Sequence, residues 1–347
     1  MKKKVVFRVD GGKKIGLGHV TRCLALADIL RKDFQIQFFC QPIDEDVLTM
    51  IKGDKFEVIM LPLKNDWIKE AELFKSYIDD ACIVILDGYI FREEYQRIIK
   101  TRCYKLVCID DINDYYFYAD IVINHSEHAK FIKYQTELHT KKLFGGDYAL
   151  LRKPFYENCD FKRTYDSTVK KLLISMGGAD PENQTLKVLK SIELLNENLT
   201  VNVVIGLANP YYKNISQWIN TSRKKNIFLY SNLQASEMCD QIIQNDLIIT
   251  TGSTTAWEAC CIGIPMIVGV IADNQIQIAS VLARMKAAVN IGFYKTATLE
   301  GLSNAYRKIL KNKQFCYELV ENQKKIVDGK AKKRYQKAFR EIAYDSN

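Results

Sequence analysis

The sequence predicts an α/β protein built from two doubly wound, Rossmann-like halves, and three observations carry that expectation. Short β-branched or aromatic runs alternate with helical patterns, the rhythm of βαβ units around a mostly parallel sheet. The rhythm pauses once, near residue 152, and then restarts. The chain has 347 residues, the length of about two domains.

Taken in order, the apolar runs at 5–9, 36–40, 56–61, 82–86, 105–109 and 121–124 read as strands, each closed by a polar or glycine-bearing turn. Residues 19–31 read as a helix, with Leu24, Leu26, Ala27 and Leu30 as its apolar stripe. Residues 152–168 are polar and aromatic without periodicity, and read as a linker. Beyond it, 171–176, 201–205, 227–230, 247–251 and 265–270 are strands. Helices are expected near 181–196, 234–244, 254–262, 274–286 and 298–311. The expected domains are 1–151 and 169–347, the second ending in a basic helix, with a ligand cleft between the two.

Composition narrows the class. Charged residues make up 26% and apolar ones 48% of the chain, ordinary globular usage. The basic start, Met1-Lys2-Lys3-Lys4, resembles a signal peptide, but Arg8 and Asp10 interrupt its apolar run too early. A cytoplasmic protein is expected, and no run is long enough to span a bilayer. The net charge is +9, and much of it is local: residues 311–340 hold ten Lys/Arg against three acids. These decorate an amphipathic helix, so a solvated face is expected rather than a nucleic-acid surface. The ten cysteines contain no Cys-x-x-Cys and read as buried free thiols.

Ligands of open α/β sheets bind beyond the carboxyl ends of strands, so three strand-to-helix turns matter most. The first is Asp10-Gly-Gly-Lys-Lys-Ile-Gly16-Leu-Gly18-His19-Val-Thr-Arg22. Gly16 and Gly18 allow close backbone approach. His19 faces the positive end of the helix dipole, which favours the neutral imidazole, a state that accepts a proton. The second is Met176-Gly177-Gly178-Ala-Asp180-Pro181, where Pro181 fits the first turn of a helix whose free N–H groups suit a phosphate. The third is Thr251-Gly252-Ser253-Thr254-Thr255-Ala-Trp-Glu258. Its hydroxyls and helix N–H groups suit a diphosphate, and Glu258, one turn on, suits ribose hydroxyls. Together these turns describe a nucleoside diphosphate site in the second half, with His19 supplied by the first.

At these residues the chain resembles the UDP-sugar hydrolase family of pseudaminic acid biosynthesis, and also the spore-coat polysaccharide biosynthesis proteins. More distantly it is similar to the lipid II-forming N-acetylglucosaminyltransferase. The resemblance covers most of residues 4–295. It rests best on Ile15-Gly-Leu-Gly-His19-Val-Thr-Arg22, with support from Leu86-Asp87-Gly88-Tyr89, Gly145-Gly146-Asp147-Tyr148, Met176-Gly-Gly-Ala-Asp180, Thr251-Gly-Ser-Thr-Thr255 and Asp273-Asn274-Gln275. It implies a glycosyltransferase-B architecture. It implies sugar-side catalytic roles for His19, Tyr89 and Asn274, and uridine diphosphate contacts from Gly177, Gly178, Ser253, Thr254, Thr255 and Glu258. Gly16, Gly18, Arg22, Tyr148 and Gln275, which lie in the same motifs, are expected at the substrate.

The reaction this implies is attack of water on the anomeric carbon of a UDP-linked 2,4-diacetamido-2,4,6-trideoxyhexose. His19 takes the water's proton, a contribution of about 10²–10⁴-fold, and fixed dipoles stabilise the departing UDP. The Tyr89 hydroxyl could hold the water or an acetamido group, and Asn274 could donate to the sugar or phosphate. No cofactor or metal is expected: Asp44-Glu-Asp46 precedes a helical stretch, and His125 and His128 lack a third ligand nearby. A monomer without nucleic-acid or membrane partners is expected. The same scaffold could instead serve an inverting glycosyltransferase, or a binder without turnover.

Overall fold

The computed structural model describes residues 2–12, 17–164, 169–195, 197–206 and 208–344. The chain divides into two compact units, residues 1–152 with 330–347, and residues 153–329.

The first unit runs β1 (Lys4–Val9), α1 (Gly18–Leu30), β2 (Gln35–Cys40), α2 (Glu45–Gly53), β3 (Glu57–Met60), α3 (Trp67–Lys75), β4 (Ile83–Asp87), α4 (Glu93–Lys100), β5 (Lys105–Ile109), β6 (Ile121–Asn124) and β7 (Lys141–Phe144). Its strands form one parallel sheet in the order β3-β2-β1-β4-β5-β6-β7. The order reverses between β1 and β4. Val5, Val6, Phe7, Val84 and Leu106 are buried in these strands, which explains their near-continuous apolar runs: helices cover both faces of a parallel sheet. The charged beginning of the chain is the first strand. Arg8 lies within it at 0% exposure, held by Glu70 of α3 at 2.8 Å and Asp10 at 2.7 Å. Asp44 precedes α2, with Glu45 and Asp46 in its first turn.

The second unit runs α5 (Lys153–Glu157), β8 (Lys171–Ser175), α6 (Gln184–Glu193), β9 (Thr200–Ile205), α7 (Tyr212–Thr221), β10 (Ile227–Ser231), α8 (Ala235–Gln244), β11 (Leu247–Thr251), α9 (Thr254–Ile262), β12 (Met266–Val270), α10 (Ile276–Arg284), β13 (Val289–Phe293), α11 (Leu299–Leu310) and α12 (Lys313–Ile326). The six strands are parallel in the order β10-β9-β8-β11-β12-β13, reversing between β8 and β11. The segment expected as a linker is anchored here. Phe155 is buried, and Arg163 donates to the carbonyls of Ile242 (2.7 Å), Ile243 (3.1 Å) and Asn245, where α8 ends. A cation there meets the negative end of the helix dipole.

The basic tail differs from expectation. It is two helices, and the last, α13 (Ala331–Tyr344), belongs with the first unit rather than the second. Its apolar stripe of Tyr335, Ala338, Phe339 and Ala343 is buried. Arg340 grips Asp33 with two bonds of 2.9 and 3.0 Å, and Gln336 donates to the Ile29 carbonyl, 3.3 Å away near the end of α1. All ten cysteines are free, and nine are buried. Among the described residues, no helix is long and apolar enough to cross a membrane.

Candidate active site

In the first unit the reversal between β1 and β4 brings together α1, which follows β1, and the end of β4. His19 stands in the first turn of α1 and is 6% exposed. Its Nδ1 lies 2.7 Å from Oδ1 of Asp87, the last residue of β4. Arg22, one turn on, donates to both oxygens of the same carboxylate, from Nε to Oδ2 at 2.7 Å and from Nη2 to Oδ1 at 2.5 Å. Its Nη1 donates to Asp111 at 2.8 Å. The Cys23 thiol also donates to Asp87, at 3.3 Å.

The charges settle the proton on the imidazole. Burial alone would raise the Asp87 pKa, but the Arg22 cation and its hydrogen bonds, with His19, hold it well below the usual carboxylate range. An ionised carboxylate can only accept, so we assign the proton of neutral His19 to Nδ1. The Nη2 of Arg22, 2.9 Å from that nitrogen, is then a close neighbour whose proton serves Asp87. The lone pair of His19 is left on Nε2, facing away from the carboxylate, as a base oriented by an acid requires. The ring of Tyr89 meets that of His19 edge-on, with centroids 4.8 Å apart. Its hydroxyl is 3.4 Å from Asp111, and burial with the Asp111 charge pushes its pKa up to about 12. It is therefore a hydrogen-bonding phenol, not a phenolate.

In the second unit the corresponding reversal joins the turns after β8 and β11. Gly177 has φ +86°, which favours glycine, and a Cβ there would come only as near as 3.9 Å to the Thr251 hydroxyl. After β11, a Cβ on Gly252 would lie 2.4 Å from the Gln275 carbonyl, so only glycine lets the end of the 273–275 turn sit this close to the chain before α9. α9 begins with Ser253 as N-cap and with no side-chain cap bond. Ser253, Thr254 and Thr255 are half-buried.

The expected site residues divide as follows. His19 and Tyr89 are brought together, with Gly18 opening the helix beneath them. Gly16 lies outside the described residues. Arg22 is committed to two carboxylates, which makes it a brace for His19 rather than an open substrate ligand. Tyr148 packs edge-on against Tyr335, and its carbonyl accepts from the Tyr335 hydroxyl at 2.6 Å. It anchors α13. Asn274 is exposed, whereas the Gln275 side chain accepts from the Ile271 N–H at 2.9 Å and ties its own turn. Glu258 is 1% exposed, part of the buried face of α9. The helix after Gly177-Gly178 starts at Gln184, not at Pro181. The Asp180 carboxylate accepts from the N–H groups of Gln184 and Thr185 at 2.7 and 2.9 Å, so this end is already capped.

Two functional groups had no signal of their own in the sequence. Asp87 was visible only as part of a motif, and its partner lies 68 positions away. Asp111 reads as one of two adjacent acids in a loop; only the tertiary fold puts it on Arg22.

The two parallel sheets and their covering helices give the chain the glycosyltransferase-B fold. Acinetobacter baumannii MurG superposes over 97% of this chain and 99% of its own with a TM-score of 0.69 and 16% identity. Staphylococcus aureus MnaA, in a UDP co-structure, covers 98% and 96% at 0.66 and 12%. In sequence, the chain is similar to the UDP-2,4-diacetamido-2,4,6-trideoxy-β-L-altropyranose hydrolase of Campylobacter jejuni, with 26% identity over 72% of this chain and 85% of that protein. It is similar to the spore coat polysaccharide biosynthesis protein SpsG of Bacillus subtilis, with 25% identity over 92% and 93%. An uncharacterized protein of Methanocaldococcus jannaschii is 32% identical over 79% of this chain. The chain spans 56% of that archaeal protein's length. No family model matches the chain.

Proposed function

We propose that the protein hydrolyses a UDP-linked 2,4-diacetamido-2,4,6-trideoxyhexose to the free sugar and UDP, as a soluble monomer acting in pseudaminic acid synthesis. The observation that carries this reading is the His19–Asp87 pair, whose free nitrogen is a base with no other evident use. Its support from outside is the likeness to a protein named for that hydrolysis.

In the proposed step, water attacks the anomeric carbon while His19 Nε2 takes its proton. The bond from that carbon to the diphosphate oxygen breaks, and its electron pair leaves with UDP. A single displacement inverts the anomeric configuration. The imidazolium formed is stabilised by Asp87, which Arg22 keeps ionised and fixed. Tyr89 lies against the His19 ring and is a neutral partner for the water or an acetamido group. The uncapped start of α9, with the hydroxyls of Ser253, Thr254 and Thr255 and the backbone of Gly177 and Gly178, binds the diphosphate and stabilises its growing charge. Asn274, an exposed residue of the turn that packs on Gly252, donates to the sugar or phosphate. This chemistry uses no cofactor.

A transferase of the same fold would use an acceptor hydroxyl in place of water, and fold alone does not separate the two. Incubating the purified protein with the UDP-sugar and no acceptor separates them. One free sugar and one UDP per substrate consumed supports hydrolysis; turnover that waits for an added acceptor overturns it.

A further inference from the structure

The site of the first unit holds one carboxylate more than its cation needs. Arg22 is 6% exposed and already shares two hydrogen bonds with Asp87, a bidentate match of one charge to one charge. Asp111 brings a second negative charge to the same guanidinium, through Nη1 at 2.8 Å. Asp87 is sealed, whereas the Asp111 side chain is 31% exposed. Neutralising the buried cation does not account for an extra carboxylate that faces the open side.

Its position is set by the sheet. β4 and β5 run parallel with Asp87 opposite Ile109, so Tyr89 and Asp111 each stand two residues beyond a paired position. The Tyr89 hydroxyl donates to Asp111 Oδ2 at 3.4 Å, and the Tyr89 ring, 42% exposed, meets His19 edge-on. The turn that carries Asp111 is pinned from the other side. There Asp110 accepts from the N–H groups of Ile112 and Asn113 at 3.3 and 2.9 Å, and from the Tyr134 hydroxyl at 2.6 Å. Arg22 and Tyr89 both meet Oδ2 of Asp111, and among the described residues no donor meets Oδ1.

The hydrogen-bonding groups therefore all run one way. Tyr89 directs its only proton to Asp111, which leaves its oxygen an acceptor. His19 Nε2 is an acceptor, and so is Asp111 Oδ1. A wall of acceptors, one of them charged, suits N–H and O–H groups and repels phosphate oxygens.

We infer that Asp111 contacts the sugar, its Oδ1 accepting from an acetamido N–H or the free hydroxyl of the bound substrate, and that it takes no part in holding the diphosphate. This deepens the nucleotide-sugar reading and rests on it.

The test is calorimetry on the full chain in a His19→Asn background, so that the ligand survives. UDP-2,4-diacetamido-2,4,6-trideoxy-β-L-altropyranose and UDP are titrated separately, with and without Asp111→Ala. The added substitution is expected to weaken the UDP-sugar about 10–100-fold, the worth of a bond to a charged group, and UDP by less than twofold. The comparison is repeated with Tyr89→Phe, which keeps the ring against His19 and removes the hydroxyl. The loss caused by Asp111→Ala persists there if Asp111 touches the sugar itself. A loss that vanishes in the Phe background means that Asp111 acts only by orienting Tyr89, and overturns the contact. Equal weakening of both ligands, or no change in either, overturns it too. A parent that does not bind the UDP-sugar at all overturns it together with the reading beneath it. If Asp111→Ala does not fold, Asp111→Asn carries the same comparison, with an expected loss of about 3–10-fold because the amide oxygen still accepts without the charge.

Discussion

At the strand reversal of the first unit, His19, Arg22, Asp87 and Asp111 form one charged network. At the reversal of the second, glycine backbone and the half-buried hydroxyls of Ser253, Thr254 and Thr255 occupy the equivalent place. The topology is the same and the chemistry is different. A base must have its tautomer and direction imposed, which takes partners of fixed charge. A diphosphate brings its own charge, so N–H groups and hydroxyls suffice. The second unit repeats the lesson within itself: α6 has its first N–H groups taken by Asp180, whereas α9 has no side-chain cap.

The comparison breaks first, and hardest, at Asp87. Asp87→Asn leaves Arg22 buried without its main counter-charge, and such a loss costs about 3–5 kcal/mol. Calorimetric unfolding should show that drop; a loss below about 1 kcal/mol would mean that the network is not a brace.

His125 gives the next largest effect. A free histidine takes a proton near about pH 6.5, but His125 does so only near about 4. Between those values the unfolded chain binds more protons, so stability falls as the pH is lowered from 6.5 to 4, by about 3 kcal/mol in all. His125→Leu should flatten that part of a urea-midpoint profile. An unchanged slope would show that the ring is not held neutral.

In the second unit, Ser253→Ala should weaken UDP by about 1.5–3 kcal/mol, the worth of a bond to a charged oxygen, with the fold intact by circular dichroism. Unchanged affinity would remove the start of α9 as the diphosphate site. The smallest effect belongs to the capped helix. Asp180→Ala should lower stability by about 1 kcal/mol, as lost caps do, and leave UDP affinity within about twofold. A large loss of UDP affinity there would erase the contrast between α6 and α9.

Much of the frame was legible in the sequence. The central strands are buried on both faces, so their apolar runs stand out; 105–109, 121–124 and 247–251 match to the residue. β7 begins with two exposed lysines, and β13 is only half-buried. Edge strands such as these lack the apolar run that marks a central strand, and both escaped notice. The return of α13 to the first unit depends on contacts such as Arg340 with Asp33, 307 positions apart, which no periodicity records. The site was legible to the same depth. His19 and the hydroxyl turn declare themselves through glycine and helix-start chemistry. Local pattern could not show that Arg22 is consumed by carboxylates, that Glu258 is buried, or that Asp180 caps its own helix. The last of these turns on a left-handed Asp180 with φ +44°.

The central claim is that His19 activates water, and steady-state kinetics of His19→Asn with UDP-2,4-diacetamido-2,4,6-trideoxy-β-L-altropyranose, without any acceptor, tests it most directly. The account expects kcat to fall by about 10²–10⁴-fold while UDP affinity stays within about twofold of the parent. A near-normal kcat with a raised KM would contradict it and reduce His19 to a residue that only holds the sugar.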